Sequence, residues 1–453
     1  MKIALVTEGN YGTVSPPINL GYLAAVVREN FPTIEIRVFD GAIDCNLLPD
    51  ILNFNPDVLG VSTTTPQALR AYKLLDTIKR NLPNTHTIIG GVHASALPEE
   101  ASRHADIVVV GEGEIAIVEI LKRLLKRKPV PRIVQGKFVP DINLLPSPAY
   151  DLLQLEKYIR LEIPFLPMLE LPIMRMITQR GCPYRCPFCY NSQRDTPVRY
   201  LNAARTIKEI QRLVNMYGIR SVWFNDDEFL VNKKRLREFV ELLKQSGLSK
   251  RIKWACTSRV TSITQEIARL IKDAGCVCLF LGIESVAAKP LEYLKCGTVK
   301  RADIEKALAI CHEVGLSTYG SFIIGSPNES IAEMQETLDW IIDHRKKGLT
   351  LAGIGLLAPY PKTDAWNYAI KTNVFTAENV DYDRFHPKDF SKTYIVDHAV
   401  SVNELASFID KANRLIWLDN KIASGNKSSI LTSKSAISML VRNPKKLLQV
   451  LSQ

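Results

Sequence analysis

Three cysteines crowd into the run Gly181-Cys182-Pro183-Tyr184-Arg185-Cys186-Pro187-Phe188-Cys189-Tyr190. Their C-x3-C-x2-C spacing puts three thiolates on one short loop, enough to hold three irons of a four-iron cluster and leave the fourth open. An open iron can be chelated by a substrate, as a catalytic metal keeps a free position that a structural one lacks. Zinc is the competing reading, but it wants a fourth ligand, and no Cys or His stands between Cys189 and Cys256. The largely apolar run 173–177 reads as a strand, so the cysteines fall on the loop at its C-terminal end.

The elements that must carry this loop alternate regularly from 171 to 370. Strand patterns at 173–177, 221–224, 253–257, 277–282, 317–324 and 351–357 are separated by helical patterns at 203–217, 233–245, 265–273, 301–314 and 331–345. Six such units predict a partial (β/α)6 barrel of the TIM type, with its chemistry at the C-terminal strand ends. Those ends carry Asn225-Asp226-Asp227-Glu228-Phe229, Ser258-Arg259, Gly282-Ile283-Glu284-Ser285, Gly325-Ser326-Pro327-Asn328-Glu329 and Pro359-Tyr360-Pro361-Lys362-Thr363. The acidic trio can pair with an ammonium group or form a solvated turn or helix cap. Arg259 can grip a carboxylate bidentately or lie on the surface. Cys276 and Cys278 alternate on one strand and read as small buried hydrophobes. Cys296 is either a radical-quenching or substrate-bound thiol or a bystander.

Residues 1–135 alternate in the same way, with strands at 2–7, 35–39, 58–62, 87–89 and 107–110. Small residues mark the strand ends, which predicts a Rossmann-like, doubly wound parallel sheet with a ligand crevice there. Ser62-Thr63, Gly90-Gly91 and Gly111-Glu112-Gly113 let a backbone approach a flat or phosphate-bearing ligand, or simply make tight turns. The absence of G-x-G-x-x-G after the first strand argues against a nicotinamide site. Residues 136–170 form a linker, proline-rich at 141–150, and 164–172 reads as a strap across the barrel mouth or as loop. Residues 371–453 are helical in pattern. Trp366 and Trp417 are expected to pack back over the barrel. The segment 436–451 mixes apolar residues with Arg442, Lys445 and Lys446, as a membrane-surface helix or a docked cap would.

The cysteine loop, with Phe188 before its last cysteine, resembles the signature of the radical S-adenosylmethionine (SAM) superfamily. The order of pieces resembles the cobalamin-dependent branch, as do Pro16-Pro17-Ile18-Asn19-Leu20-Gly21-Tyr22-Leu23, Gly90-Gly91-Val92-His93 and Val110-Gly111-Glu112-Gly113-Glu114. The resemblance implies a [4Fe-4S] cluster on Cys182, Cys186 and Cys189. It implies SAM at Phe188, Asp226, Asp227, Glu228, Arg259, Glu284 and Ser285, and cobalamin at Ser62, Thr63, Gly90, Gly91, Gly111, Glu112 and Gly113. The D-x-H-x-x-G motif is missing, since Gly41-Ala42-Ile43-Asp44 follow Asp40. Cobalamin bound without histidine ligation, its nucleotide tail in the sheet crevice, is therefore the expectation. A methylthiotransferase would need three more cysteines in the first domain, which has only Cys45. The activity implied is methyl transfer to an unactivated carbon by methylcobalamin and a 5′-deoxyadenosyl radical. Cyclisation or rearrangement with the same cofactors is the alternative, and a non-enzymatic cluster or cobalamin sensor a third reading. The partners implied are a small-molecule or lipid substrate and an external electron donor such as flavodoxin or ferredoxin. No nucleic-acid motif is present, and peripheral membrane contact would fall to the C-terminal tail.

The whole chain sets wide bounds. Its 453 residues suffice for two or three domains, and 46% hydrophobic with 23% charged residues is ordinary globular composition. A net charge of +11 favours anionic ligands, membrane surfaces or nucleic acid without selecting one. Nine scattered cysteines and no visible leader read as a reducing, cytoplasmic setting. No uncharged apolar run approaches the roughly 18 residues a membrane span needs.

Overall fold

The computed structural model describes residues 1–9, 15–44, 46–163, 166–193, 196–385 and 393–423. The first sheet comprises β1 (Lys2–Thr7), β2 (Glu35–Asp40), β3 (Val58–Ser62), β4 (His86–Gly90), β5 (Ile107–Gly111) and β6 (Ile133–Gly136). Its order is β2-β1-β3-β4-β5-β6, with every pair parallel. Strand order reverses between β1 and β3, and that switch point opens a crevice at the carboxyl ends. A sheet covered on both faces needs apolar residues on both. Ile3 and Leu5 pack on one side with Leu20, Val27 and Ile117. Ala4 and Val6 pack on the other with Leu59, Tyr72 and Leu75. The edge strand β6 is absent from the sequence reading, because its four residues show no clear alternation.

The second sheet follows, with β7 (Ile173–Met176), a two-residue ribbon β8 (Gln179–Arg180) and β9 (Arg199–Tyr200), then β10 (Ser221–Phe224), β11 (Lys253–Ser258), β12 (Cys276–Glu284), β13 (Ser317–Ile324) and β14 (Leu351–Leu356). The order β14-β13-β12-β11-β10-β7, parallel throughout, is an open six-stranded barrel wound in chain order. Its outer face packs on the surrounding helices through Met174, Val222, Phe224, Trp254, Leu279 and Leu281. Phe224, Phe229, Phe239 and Trp254 form an aromatic cluster there, with the Phe224 and Phe229 rings stacked at 4.5 Å. Cys276 and Cys278 are buried, as expected of small hydrophobes.

The strap does not cross the barrel mouth. Ile163, Leu166 and Leu169 pack inside the barrel against Ile173, Trp223, Ala255 and Cys278. The Glu170 N–H donates to Ser221, the first residue of β10, at 2.7 Å, which sets the strap at the N-terminal strand ends. The opposite end stays open.

Beyond β14 the chain does two things. Helix Val402–Ala423 covers the edge strand through Leu405, Phe408, Ile409 and Leu415. The Asn420 side chain closes two of that strand's exposed backbone groups, donating to Ala352 O at 2.8 Å and accepting from Ala352 N at 3.1 Å. Trp366, Phe375, Tyr382, Phe385 and Tyr394 instead join the first domain's core beside Ile51, Phe54 and Tyr72. Trp366 therefore sits in a core shared by the first domain and the barrel residues Leu294 and Leu357, and Trp417 is 38% exposed. The segment 436–451 lies outside the described residues. Among the described residues no helix is long and apolar enough to cross a membrane.

Candidate active site

The cysteine loop runs from β8 to β9, an antiparallel pair that matches Gln179 with Tyr200 and Arg180 with Arg199. Gly181 opens the loop at φ 86, and a Cβ there would come within 2.9 Å of Pro197 O, so glycine is required. All three thiols are half-buried. Burial, then Asp227 and the two neighbouring thiols, push Cys182 up to about 12. Among the described residues no three His, Cys, Asp or Glu converge on a point fit for one metal ion. Three thiols on one loop suit a cluster, where each sulfur meets a different iron.

The acidic run divides by strand-end alternation. Asp226, 2% exposed, accepts from the Thr178 and Gln179 backbone N–H groups and from the Thr178 hydroxyl. It pins the chain between β7 and β8. Glu228, equally buried, accepts from the Ser258 hydroxyl at 2.9 Å and from the Arg259 N–H, and so holds the turn after β11. Asp227 alone is exposed, on the side of Cys182. The carboxylates of Asp226 and Glu228 are thus engaged by the protein, and Asp227 is the member of the run left exposed.

Arg259 reaches the cysteine loop directly. Its guanidinium lies 3.9 Å from Cys186 Sγ and 4.1 Å from the Tyr184 ring centroid, and it donates to Thr298. Its buried Nε has no hydrogen-bond partner among the described residues, a donor suited to a carboxylate. Glu284 follows a β-bulge at φ 69 and forms a buried ion pair with Lys295 at 2.9 Å. Ser285 is fully buried against the Thr337 hydroxyl at 3.1 Å, so it braces the turn. Phe188 packs at the edge of the core shared with the first domain. Cys296 donates to Arg185 O at 3.0 Å, so the fold brings a fourth, exposed cysteine to this loop. Nothing in its sequence spacing announced that.

On the other side of Arg180 lies a cavity of about 210 Å³ at the switch point of the first sheet. Its floor is apolar, with Leu5, Leu23, Val61 and Ile88, and its rim carries Ser62, Gly90, Gly91, Gly111, Glu112 and Gly113. Thr63, 2% exposed, is not part of the lining but supports it. A Cβ on Gly91, at φ 94, would meet Thr63 O at 2.5 Å. His93 is also off the cavity, buried against the Tyr72 hydroxyl at 2.9 Å and near Thr65 at 3.3 Å. The cavity fits a flat heterocycle on a sugar-phosphate, which is cobalamin's tail, and leaves a macrocycle outside. Glu112 stands at the rim, yet its carboxylate is committed to Arg199 at 2.9 Å, Val139 N at 2.8 Å and Arg180 at 3.4 Å. Arg180 also pairs with Glu114 at 2.6 Å. One ion-pair network therefore joins the cavity rim to the ribbon that carries the cysteines.

An open six-unit barrel with that loop, facing a doubly wound sheet with that crevice, defines the cobalamin-dependent radical SAM class, and this chain belongs to it. The family model of the Radical SAM superfamily matches residues 176–341, and that of the B12 binding domain matches residues 5–121. The chain is 33% identical to the uncharacterized methyltransferase PH0819 of Pyrococcus horikoshii, over 84% of this chain and 85% of that one. It is 27% identical to the anaerobic magnesium-protoporphyrin IX monomethyl ester cyclase of Cereibacter sphaeroides, over 77% of this chain and 59% of that one. The fold is similar to that of the radical SAM methyltransferase TsrM from Kitasatospora setae, solved with tryptophan substrate and a SAM analogue. The TM-score is 0.66 at 18% identity, covering 83% of this chain and 77% of that one. The protein is an enzyme whose cofactors are a [4Fe-4S] cluster, SAM and cobalamin. A small-molecule substrate and an outside source of electrons go with that class.

Proposed function

We propose that this protein transfers a methyl group to an unactivated carbon of a small molecule. The observation that carries the reading is the Arg180–Glu112–Glu114–Arg199 network, which joins the corrinoid cavity to the cluster loop. The 33% identity to a methyltransferase supports the same reading. When bound, the cluster supplies the electron that splits SAM to a 5′-deoxyadenosyl radical, and the corrinoid carries the methyl group. In this proposal Arg259 holds the SAM carboxylate, a role its orphan Nε and its place beside Cys186 support. Asp227 meets the ammonium, Cys182, Cys186 and Cys189 hold the irons, and Glu284 with Lys295 fixes the turn beside them. The apolar cavity floor excludes water from the tail and holds it without a histidine. A net charge of +11 suits an acidic electron donor of flavodoxin or ferredoxin type.

The relative named as a cyclase supports a second reading, ring closure with the same cofactors. Anaerobic turnover with methyl-labelled SAM separates the two. Methyl transfer gives S-adenosylhomocysteine and 5′-deoxyadenosine together with label in the product. Cyclisation gives 5′-deoxyadenosine with labelled methionine, and neither S-adenosylhomocysteine nor label in the product.

A further inference from the structure

Burial alternates residue by residue from Leu279 to Ile283 of β12, along all of β13 and from Ala352 to Leu356 of β14. Their outward members pack on the helices. The half-exposed members Phe280, Gly282, Ser321, Ile323, Gly353 and Gly355 therefore face the barrel interior, which is open at its C-terminal end. Gly355 leaves this face uncovered, the Tyr319 ring lies over Gly353, and Phe280, stacked on Tyr319 at 4.6 Å, completes an aromatic wall.

At the other edge of the same sheet, Arg175 of β7 turns into the same interior. Its register neighbour on β10 is Trp223, and its guanidinium lies 5.0 Å from the indole centroid. Its Nη1 donates at 2.5 Å to Ser15 Oγ, in the first domain's segment after β1. Arg175 thus stands where the barrel mouth meets the corrinoid domain. No carboxylate among the described residues lies within ion-pair distance of it, whereas Arg180 and Arg199 share Glu112 and Glu114. Burial alone acts on its guanidinium, pushing its pKa down with no acid opposing the shift. Half-buried cations without a counter-charge cost free energy that an arriving anion recovers. The planar guanidinium is built for bidentate pairing with a carboxylate or phosphate.

We propose that the open barrel interior binds a substrate with an apolar body and an anionic group, carboxylate or phosphate, that pairs with Arg175. The inference rests on the methyl-transfer reading and names the class of acceptor. Its test does not use methyl transfer, so the two can fail separately. The anaerobically reconstituted protein, carrying cluster and cobalamin and saturated with SAM, is dialysed to equilibrium against radiolabelled benzoate and, separately, benzamide. A charge-assisted hydrogen bond predicts that benzoate is retained roughly tenfold to a hundredfold more tightly than benzamide. Arg175→Met should abolish that preference, and Arg175→Lys should restore part of it, with cobalt and iron contents unchanged in both. Equal or no retention of the two probes by the unaltered protein, or a preference that survives Arg175→Met, overturns the proposal. A preference seen without SAM and lost when SAM is added overturns it too, because Arg175 would then hold the SAM carboxylate.

Discussion

Asp226, Asp227 and Glu228 are consecutive acids that the strand end sends in different directions. Asp226→Asn removes the charge facing buried Arg235 and should cost about 1–3 kcal/mol in urea unfolding. Asp227→Asn should leave stability unchanged and weaken SAM binding about tenfold by equilibrium dialysis, with iron content intact. The reverse pattern would reassign the ammonium contact to Asp226. Glu329, after β13, offers a pH test. Burial pushes it from 4.5 up to about 7, although Ser326 donates to its carboxyl, and its Oε1 is an orphan. The native state therefore binds a proton that the unfolded chain releases. That contribution is complete below pH 4.5 and is lost as pH rises through about 7. Glu329→Gln should flatten the fall in stability across this window, on the order of 3 kcal/mol. An unchanged slope in urea melts at several pH values would clear Glu329 as its source.

At the scale of elements, the ribbon β8–β9 decides where the cysteine loop sits. Two residues per strand cannot hold register alone. The ribbon is fixed from the barrel by Asp226 and Arg235, and from the first domain by Glu112 and Glu114. Glu112→Gln breaks the largely buried part of that network and should cost about 3 kcal/mol. Iron and cobalt should both fall on reconstitution, since the network serves loop and cavity alike. Gly91→Ala drives a Cβ into the Thr63 backbone at a left-handed φ, a strain of about 1–3 kcal/mol. Metal analysis should then show cobalt lost and iron retained, and loss of both would mean that Gly91 supports more than the cavity.

At the scale of the molecule, the chain returns to its beginning. Tyr382 donates to Glu100, its ring meets His93 edge-on at 4.7 Å, and His93 is bonded to Tyr72. The segment after the barrel thereby completes the first domain's core and fixes the two sheets relative to each other. Tyr382→Phe removes a hydrogen bond to a carboxylate and should lower stability by about 1.5–3 kcal/mol. Calorimetry should show one transition in the unaltered protein and a broadened or split one in the variant. A single sharp transition in the variant would mean that the contact does not couple the halves.

Much of the fold is legible in the sequence. The short apolar runs alternating with helical patterns and ending in small or acidic residues pointed to both parallel sheets, because strands buried on both faces need continuous apolar residues and strand ends need turns. The spacing of Cys182, Cys186 and Cys189 gave the cluster loop, because covalent geometry confines three thiols on one short loop. Short or unpatterned pairing was not legible, as β6, β8 and β9 show, since two to four residues carry no period. Nor were contacts between residues far apart in the chain. Arg175 beside Ser15, Cys296 beside Arg185, Glu112 on Arg199 and Trp366 in the first domain's core all join distant segments. Local sequence determined which elements form and which chemistry they carry. Only the packed tertiary structure decided which charges are paired, which acid is exposed beside Cys182 and which cation has no carboxylate at ion-pair distance among the described residues, because desolvation and pairing depend on neighbours that the chain supplies from elsewhere.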